Sequence, residues 1–227
     1  MSDLLVIVPS RGRPHNIAEL HVAWTETTHR HAQLLVAVDD DDPTLPEYQR
    51  VCALTGIELT VGPRLRLTGT LNKVAVERAP QHHALAFMGD DHRPRTIGWD
   101  AILLNELDPL GTGIAYGNDL LQGEKMATAV AMTSDIVLAL GYMAPPSMVH
   151  LCLDLVWLDW GRAIDRLVYL PDTVIEHMHP DVGKAVRDAG YDEANSPAQT
   201  AADHAAYEAY RHGPAFQADV EKLKALL

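Results

Sequence analysis

Three short clusters in this chain carry residue types able to bind phosphate and metal. The run Phe87-Met88-Gly89-Asp90-Asp91-His92 passes from apolar residues into two carboxylates and an imidazole. Adjacent carboxylates repel one another unless a cation sits between or beside them, so the run points to a divalent metal; an Asp-rich turn or helix cap is the alternative. The loop Ser10-Arg11-Gly12-Arg13-Pro14 offers two guanidinium groups, which suit a diphosphate, and Asp39 can accept hydrogen bonds from a base N–H or a ribose hydroxyl. Asn72 and Lys73 add an amide and an ammonium group.

The surrounding elements must bring these residues together. Leu4 to Val8 reads as an aliphatic strand stopped by Pro9, followed by the polar loop and a helix from about Asn16. Leu34 to Val38 repeats the theme and ends in Asp39-Asp40-Asp41-Asp42-Pro43, with a short helix over Pro46 to Leu54 and a third strand over Ile57 to Val61. Thr70 is placed to cap a helix over Leu71 to Glu77, Ala84 to Met88 is a fourth strand, and Gly98 to Leu107 is a further helix. This alternation predicts a parallel sheet with helices on its faces, and in such sheets ligands bind at the strand ends where Ser10, Arg11, Arg13, Asp39, Asp90 and Asp91 fall. For any one of these residues a solvated loop charge is the simpler account; their joint placement argues for a site.

The second half is less regular. Ile114 to Tyr116 and Ala127 to Met132 read as strands, Ser134 to Leu140 as a capped helix, Val149 to Trp160 as an apolar helix, and Leu167 to Leu170 and Val174 to Glu176 as two short strands. After Asn195-Ser196-Pro197 the composition shifts toward Ala, Asp, Glu, Lys and Tyr, which predicts one or two peripheral helices. There is no internal repeat and no long linker, so one domain is expected over residues 1–195, with a helical extension over 196–227 packed on it.

Composition removes several classes. A chain of 227 residues with 47% hydrophobic content can bury a full core. Its apolar runs break well short of ~18 residues and it enters a strand without a basic, apolar leader, so a soluble, cytoplasmic protein with no membrane partner is expected. Cys52 and Cys152 give neither a disulfide framework nor a thiolate zinc site. The net charge of -13 opposes broad attraction to nucleic acid. Gly111-Thr112-Gly113-Ile114-Ala115-Tyr116-Gly117 enters a strand instead of following one, the wrong order for a dinucleotide loop. Ser10 and Ser147 lack the Gly-x-Ser-x-Gly setting of a nucleophile, and neither a Gly-x4-Gly-Lys-Ser/Thr loop nor a His-Glu-x-x-His helix occurs.

Taken in order, Val6-Ile7-Val8-Pro9-Ser10-Arg11-Gly12-Arg13, Val36-Ala37-Val38-Asp39, Leu71-Asn72-Lys73, Phe87-Met88-Gly89-Asp90-Asp91, Gly98-Trp99-Asp100 and Asp154 within Leu151 to Trp160 resemble the elements of GT-A glycosyltransferases, over roughly residues 4 to 180. The resemblance implies an α/β fold: a single GT-A domain, Rossmann-like and of the nucleotide-diphospho-sugar transferase type, with a mostly parallel central sheet and peripheral C-terminal helices. It implies metal-dependent transfer of a sugar from a nucleoside-diphosphate sugar, a UDP-sugar being favoured, to an acceptor hydroxyl. Pro9, Ser10, Arg11, Arg13, Asp39, Asn72, Lys73, Asp90, Trp99 and Asp100 would hold the nucleotide-sugar. The family's Asp-x-Asp motif reads Gly-Asp-Asp-His here, so either Asp90 or Asp91 can be the direct metal ligand; Asp91 is favoured, with Asp90 turned toward ribose or sugar. The family takes a further metal contact from near the end of its catalytic domain, for which His177 and His179 are candidates because they point the same way in an extended segment. Among 12 histidines an incidental surface pair is the alternative. Carboxylate with imidazole favours Mn2+ over Mg2+.

In such an enzyme the cation offsets charge developing on the leaving diphosphate, supplemented by Arg11, Arg13 and Lys73. An inverting reaction also needs a base on the acceptor hydroxyl. Asp154, a carboxylate in an apolar stretch, is the candidate, the alternatives being a wet helix-face Asp or a partner for Arg162. Trp157 and Trp160 form either a sugar-stacking wall or core. A sugar-nucleotide nucleotidyltransferase fits less well, since the first loop is Arg-rich and lacks the Gly-rich loop and Pro-Lys pair such enzymes show; a noncatalytic sugar-nucleotide-binding module is the other alternative. The acceptor can be a saccharide, a small molecule, a protein or a hydroxymethylated base in phage DNA, the last placing the protein in a host cytoplasm. Arg64, Arg66, Arg93 and Arg95 would supply a basic rim for DNA, or are ordinary loop charges.

Overall fold

The computed structural model describes residues 3–29 and 31–227. The first half alternates as expected: β1 (Leu4–Ser10), α1 (Pro14–Thr27), β2 (Ala32–Asp39), α2 (Leu45–Thr55), β3 (Glu58–Gly62), α3 (Arg66–Arg78) and β4 (Ala84–Phe87). There follow β5 (His92–Pro94), α4 (Trp99–Leu107), β6 (Ile114–Asn118), β7 (Val130–Thr133), α5 (Ser134–Leu140), α6 (Leu153–Ala163), β8 (Leu167–His177), α7 (Ala189–Ala194), α8 (Pro197–Arg211) and α9 (Pro214–Lys224). The sheet order is β3-β2-β1-β4-β7-β6-β8-β5, with β7 and β5 running against the other six described strands. The C-terminal ends of β1, β2, β4, β6 and β8 therefore open on one edge.

β1 is aliphatic without interruption because both its faces are covered. Leu4, Val6 and Val8 pack with residues of α1, α2 and α4, while Leu5 and Ile7 face α3, α5 and α6. Tyr207, Tyr210 and Leu223, from α8 and α9, join the second of these cores. Pro9 continues the strand instead of ending it. Met88 N–H donates to the Ile7 carbonyl, so Pro9, two residues on, faces the same side beyond the end of β4, where its missing N–H leaves no ladder bond open.

Other departures have long-range causes. α3 begins at Arg66, before Thr70, because the Thr68 N–H finds the Val149 carbonyl at 3.1 Å and needs no local cap. α6 starts at Leu153, not Val149, because the Asp203 carboxylate takes the N–H groups of Val149, His150 and Leu151 at 2.8–3.0 Å. The two short strands near the end are one strand, β8, bulged against β6 at Gly117/Asn118. A side chain at Gly117 would place its Cβ 2.3 Å from the Thr173 carbonyl oxygen, so the close crossing requires glycine. Among the described residues no helix is long and apolar enough to cross a membrane.

Candidate active site

The first loop is built around a relay of hydrogen bonds. Ser10 Oγ donates to Asp90 Oδ2 at 2.5 Å and so accepts from the Tyr48 hydroxyl at 2.6 Å, which in turn accepts the Arg13 N–H at 2.8 Å. Asn16 Nδ2 donates to the other Asp90 oxygen at 3.0 Å, with Arg13 Nη1 at 3.5 Å from it. Asp90 thus ties the loop after β1 to the loop after β4. Burial, with the charge of Asp91, pushes its carboxyl above the ordinary range.

Asp91 points into a different setting. Its Oδ1 lies 3.4 Å from His92 Nδ1 and its Oδ2 3.4 Å from His177 Nε2. The three residues each bring one donor atom within 4.8 Å of the others. β5 and β8 make this possible: His92 is the register partner of His177, and their rings stack with centroids 4.4 Å apart. Burial raises the Asp91 carboxyl, but hydrogen bonds to His177 and His92 outweigh it and hold the group well below the ordinary range. Burial, reinforced by His177, lowers His92. His92 Nε2 and His177 Nδ1 are buried with no hydrogen-bond partner. One carboxylate and two imidazoles, two of whose nitrogens lack hydrogen-bond partners among the described residues, could hold a divalent metal ion.

Of the two histidines expected as ligands, His177 lies in this cluster with His92, and His179 lies beside it. The His179 ring does lie on the same side, 5.0 Å from that of His177. Its nitrogens face other groups, Nδ1 accepting from the Asp181 N–H at 3.3 Å and Nε2 lying 3.4 Å from the Tyr191 hydroxyl. His92 was visible within the acidic run, but its role depends on the three-residue strand β5, too short to leave a periodic signal.

Beside this cluster, Arg11 bonds Asp39 at 2.9 Å and Asp41 at 2.5 Å, and Arg13 grips Asp188. Asp39, raised chiefly by burial, lines a shallow cleft together with Val61, Pro63, Leu65, Thr70 and Lys73. Lys73 pairs with Glu77 at 2.9 Å. Asp154 lies in the first turn of α6, where the Leu155 N–H donates to it at 2.9 Å; among the described residues it has no ion-pair partner, Arg162 included. Burial raises its carboxyl, and its neighbours in charge are His177 and Asp119.

Other expected site residues lie apart. Asn72 commits its amide to the Met143 and Ala144 N–H groups and the Ala144 carbonyl, joining α3 to the loop after α5. Trp99 and Asp100 are at the opposite edge: Trp99 is fully buried against Trp24 and bonds Thr28, and Asp100 accepts the N–H groups of His29 and His31, just before β2. β5 runs antiparallel to β8, carrying the chain away from the site before α4 begins. Trp157 and Trp160 are core residues, bonded to the Met143 carbonyl and the Tyr210 hydroxyl. The expected basic rim is neutralised: Arg64 and Arg66 meet Glu193, Arg93 is buried on Glu19, and Arg95 meets Glu176.

No protein-family model and no curated protein sequence matches the chain. Solved structures do. The chain is similar to the mannosyltransferase PcManGT from Pyrobaculum calidifontis in complex with GDP-Man and Mn2+, at 17% identity and a TM-score of 0.67 over 99% of this chain and 69% of that one. It is similar to S. aureus TarS 1-349 in complex with UDP-GlcNAc, at 11% identity and a TM-score of 0.59 over 93% and 73%; against a longer TarS chain it spans 44% of the length. A putative nucleotide-diphospho-sugar transferase from Desulfovibrio desulfuricans G20 matches at 15% identity and a TM-score of 0.52 over 100% and 97%. The fold is therefore of the GT-A, nucleotide-diphospho-sugar transferase type.

Proposed function

We propose that this chain is a metal-dependent glycosyltransferase that moves a sugar from a nucleoside-diphosphate sugar to an acceptor hydroxyl. The observation that carries this reading is where buried polar atoms lack partners. Of four such side-chain atoms among the described residues, His92 Nε2, His177 Nδ1 and Arg64 Nε lie at the strand ends where α/β sheets of this kind bind their ligands. Buried donors and acceptors are rarely left unmade, so three at one edge argue for a ligand.

Asp91, His92 and His177 would hold a divalent cation, with Mn2+ preferred to Mg2+ for two imidazoles. Bound there, the ion supplies positive charge against the diphosphate as it leaves. Arg11 and Arg13 reach the same charge from the first loop, and Asp39 presents a carboxylate to base or ribose beside the cleft. Asp90, enclosed by Ser10, Asn16 and Arg13, shapes the loop. Asp154 takes the proton of the acceptor hydroxyl: its raised basicity and lack of a cation partner suit a general base. With a net charge of -13, and with Arg93 and Arg95 paired internally, the acceptor is a saccharide or small hydroxyl compound, not phage DNA.

Incubation with radiolabelled UDP-sugars first, then GDP-sugars, each with Mn2+ and a panel of glycoside acceptors, tests this. Sugar transfer or slow donor hydrolysis that stops with chelator is expected. Pyrophosphate exchange would instead show a nucleotidyltransferase, and binding without turnover a noncatalytic module.

A further inference from the structure

Two carboxylates that lie on the site come from a single segment late in the chain. Arg13 Nε and Nη2 each contact Asp188 at 2.7 Å, a two-pronged grip. Arg64 Nη2 bonds both oxygens of Glu193, at 2.8 and 3.0 Å, and Arg66 Nη1 bonds the same residue. Asp188 caps α7 and Glu193 lies on it.

The segment has little else to hold it. None of residues 176–202 is fully buried, and α7 buries no side chain. Its attachment is therefore largely ionic, and partly exposed ion pairs are individually weak and exchangeable. The pairing is also incomplete. Arg64 Nε is buried without a partner, with Asp39 Oδ2 3.9 Å away. The contacts extend to the metal cluster: the Tyr191 hydroxyl lies 3.4 Å from His179 Nε2, whose ring borders that of His177, and Arg13 stands 3.5 Å from Asp90.

We propose that Asp188 and Glu193 stand where a donor's diphosphate binds, so that Arg13, Arg64 and Arg66 form an anion subsite and residues 180–195 are a strap that leaves it when the nucleotide enters. This rests on the nucleotide-sugar reading of the site. Carboxylate and phosphate oxygens accept from a guanidinium fork in the same way. A diphosphate brings more charge, shared with a divalent ion, and so wins the exchange. Because only the open form binds, the closed strap lowers apparent nucleotide affinity by the fraction of open molecules.

The test is calorimetric titration of UDP and of GDP, each with Mn2+, into the wild type, the double variant D188N/E193Q and R64A, with amide exchange of residues 186–195 followed in the wild type. Asn keeps the α7 cap, so the double variant removes charge without removing the helix start. Affinity at least ~10-fold tighter in D188N/E193Q, weaker binding in R64A, and faster exchange across 186–195 on adding nucleotide are expected. Equal or weaker affinity in D188N/E193Q while the wild type binds, or exchange unchanged by a bound nucleotide, would overturn the strap and leave the nucleotide site standing. No binding to any of the three proteins would overturn both.

Discussion

Asp203 and Asp91 are both carboxylates set into protein, and their surroundings differ in kind. Asp203, 1% exposed on α8, accepts three backbone N–H groups at 2.8–3.0 Å. Asp219 likewise accepts the hydroxyls of Tyr142 and Tyr210, and Asp100 the N–H groups of His29 and His31. Asp203 and Asp100 face neutral amide donors at both oxygens, Asp219 adds Lys222 to its two hydroxyls, and each ties one segment to another. Among the described residues, Asp91 instead faces two imidazoles whose remaining nitrogens have no hydrogen-bond partner, and Asp154 accepts backbone amides and pairs with no cation. A satisfied buried acid holds the fold together, whereas an incompletely satisfied one is kept for something that binds.

The sharpest way to break that contrast is Asp91→Ala. Loss of the carboxylate from the proposed metal set should lower sugar transfer per folded molecule about 1,000-fold, consistent with the several kcal/mol a bound cation contributes to such a reaction. Full activity in Asp91→Ala would place the metal elsewhere. Next in size is Asp154→Asn, which keeps shape but removes the basic lone pair. We expect kcat to fall about 100-fold with nucleotide affinity unchanged, measured by transfer rate and calorimetry on the same preparation. A normal rate would move the base to another residue or make the reaction retaining; lost folding would put Asp154 with Asp203.

This contrast was only half legible in the sequence. The aliphatic β1, the Arg-Gly-Arg loop and the acidic end of β4 are local patterns, and the fold follows from their alternation. The partners that decide each acid's role are distant: Arg13 meets Asp188 across 175 positions and Arg64 meets Glu193 across 129. No local pattern reports such pairing. Trp99 and Asp100 show the same gap in another form. The resemblance to GT-A enzymes put them with the nucleotide-sugar, but β5 reverses the chain before α4, and a three-residue strand without alternation gives no sign of that reversal.

On the satisfied side, Asp203→Ala should destabilise the fold by about 2 kcal/mol, because the amides of Val149, His150 and Leu151 lose a charged acceptor. Denaturant melts would measure it, with transfer per folded molecule little affected. The pH dependence sharpens the assignment. Burial raises the Asp203 carboxyl, but the three amides outweigh it and leave it below the ordinary range. A depressed folded pKa means the stabilisation is fully present above the unfolded value near 4 and is lost as pH falls through the folded one. The stability gap between the wild type and Asp203→Asn should therefore narrow on acidification below about pH 4. A gap that is constant with pH would mean the carboxylate charge contributes nothing there.

The smallest expected effect separates two histidines. His92 shares the cluster with Asp91 and has a buried, unpartnered Nε2, whereas His179 has both ring nitrogens facing Asp181 N–H and the Tyr191 hydroxyl. Direct ligation by His92 predicts that His92→Ala weakens Mn2+ affinity at least ~10-fold. His179 touches the His177 ring edge-on without a ring-to-ring hydrogen bond among the described residues, so it lacks the orienting contact that makes outer residues matter to a metal, and His179→Ala should weaken Mn2+ binding less than ~3-fold. Manganese titrations of the two variants decide between them. A loss confined to His179 would make His177 and His179 the ligand pair after all and would leave His92 as a stacked neighbour whose unpartnered nitrogen needs another cause; a loss confined to His92 ties the unpartnered nitrogens to the ion and makes the paired β5 and β8 strands its scaffold.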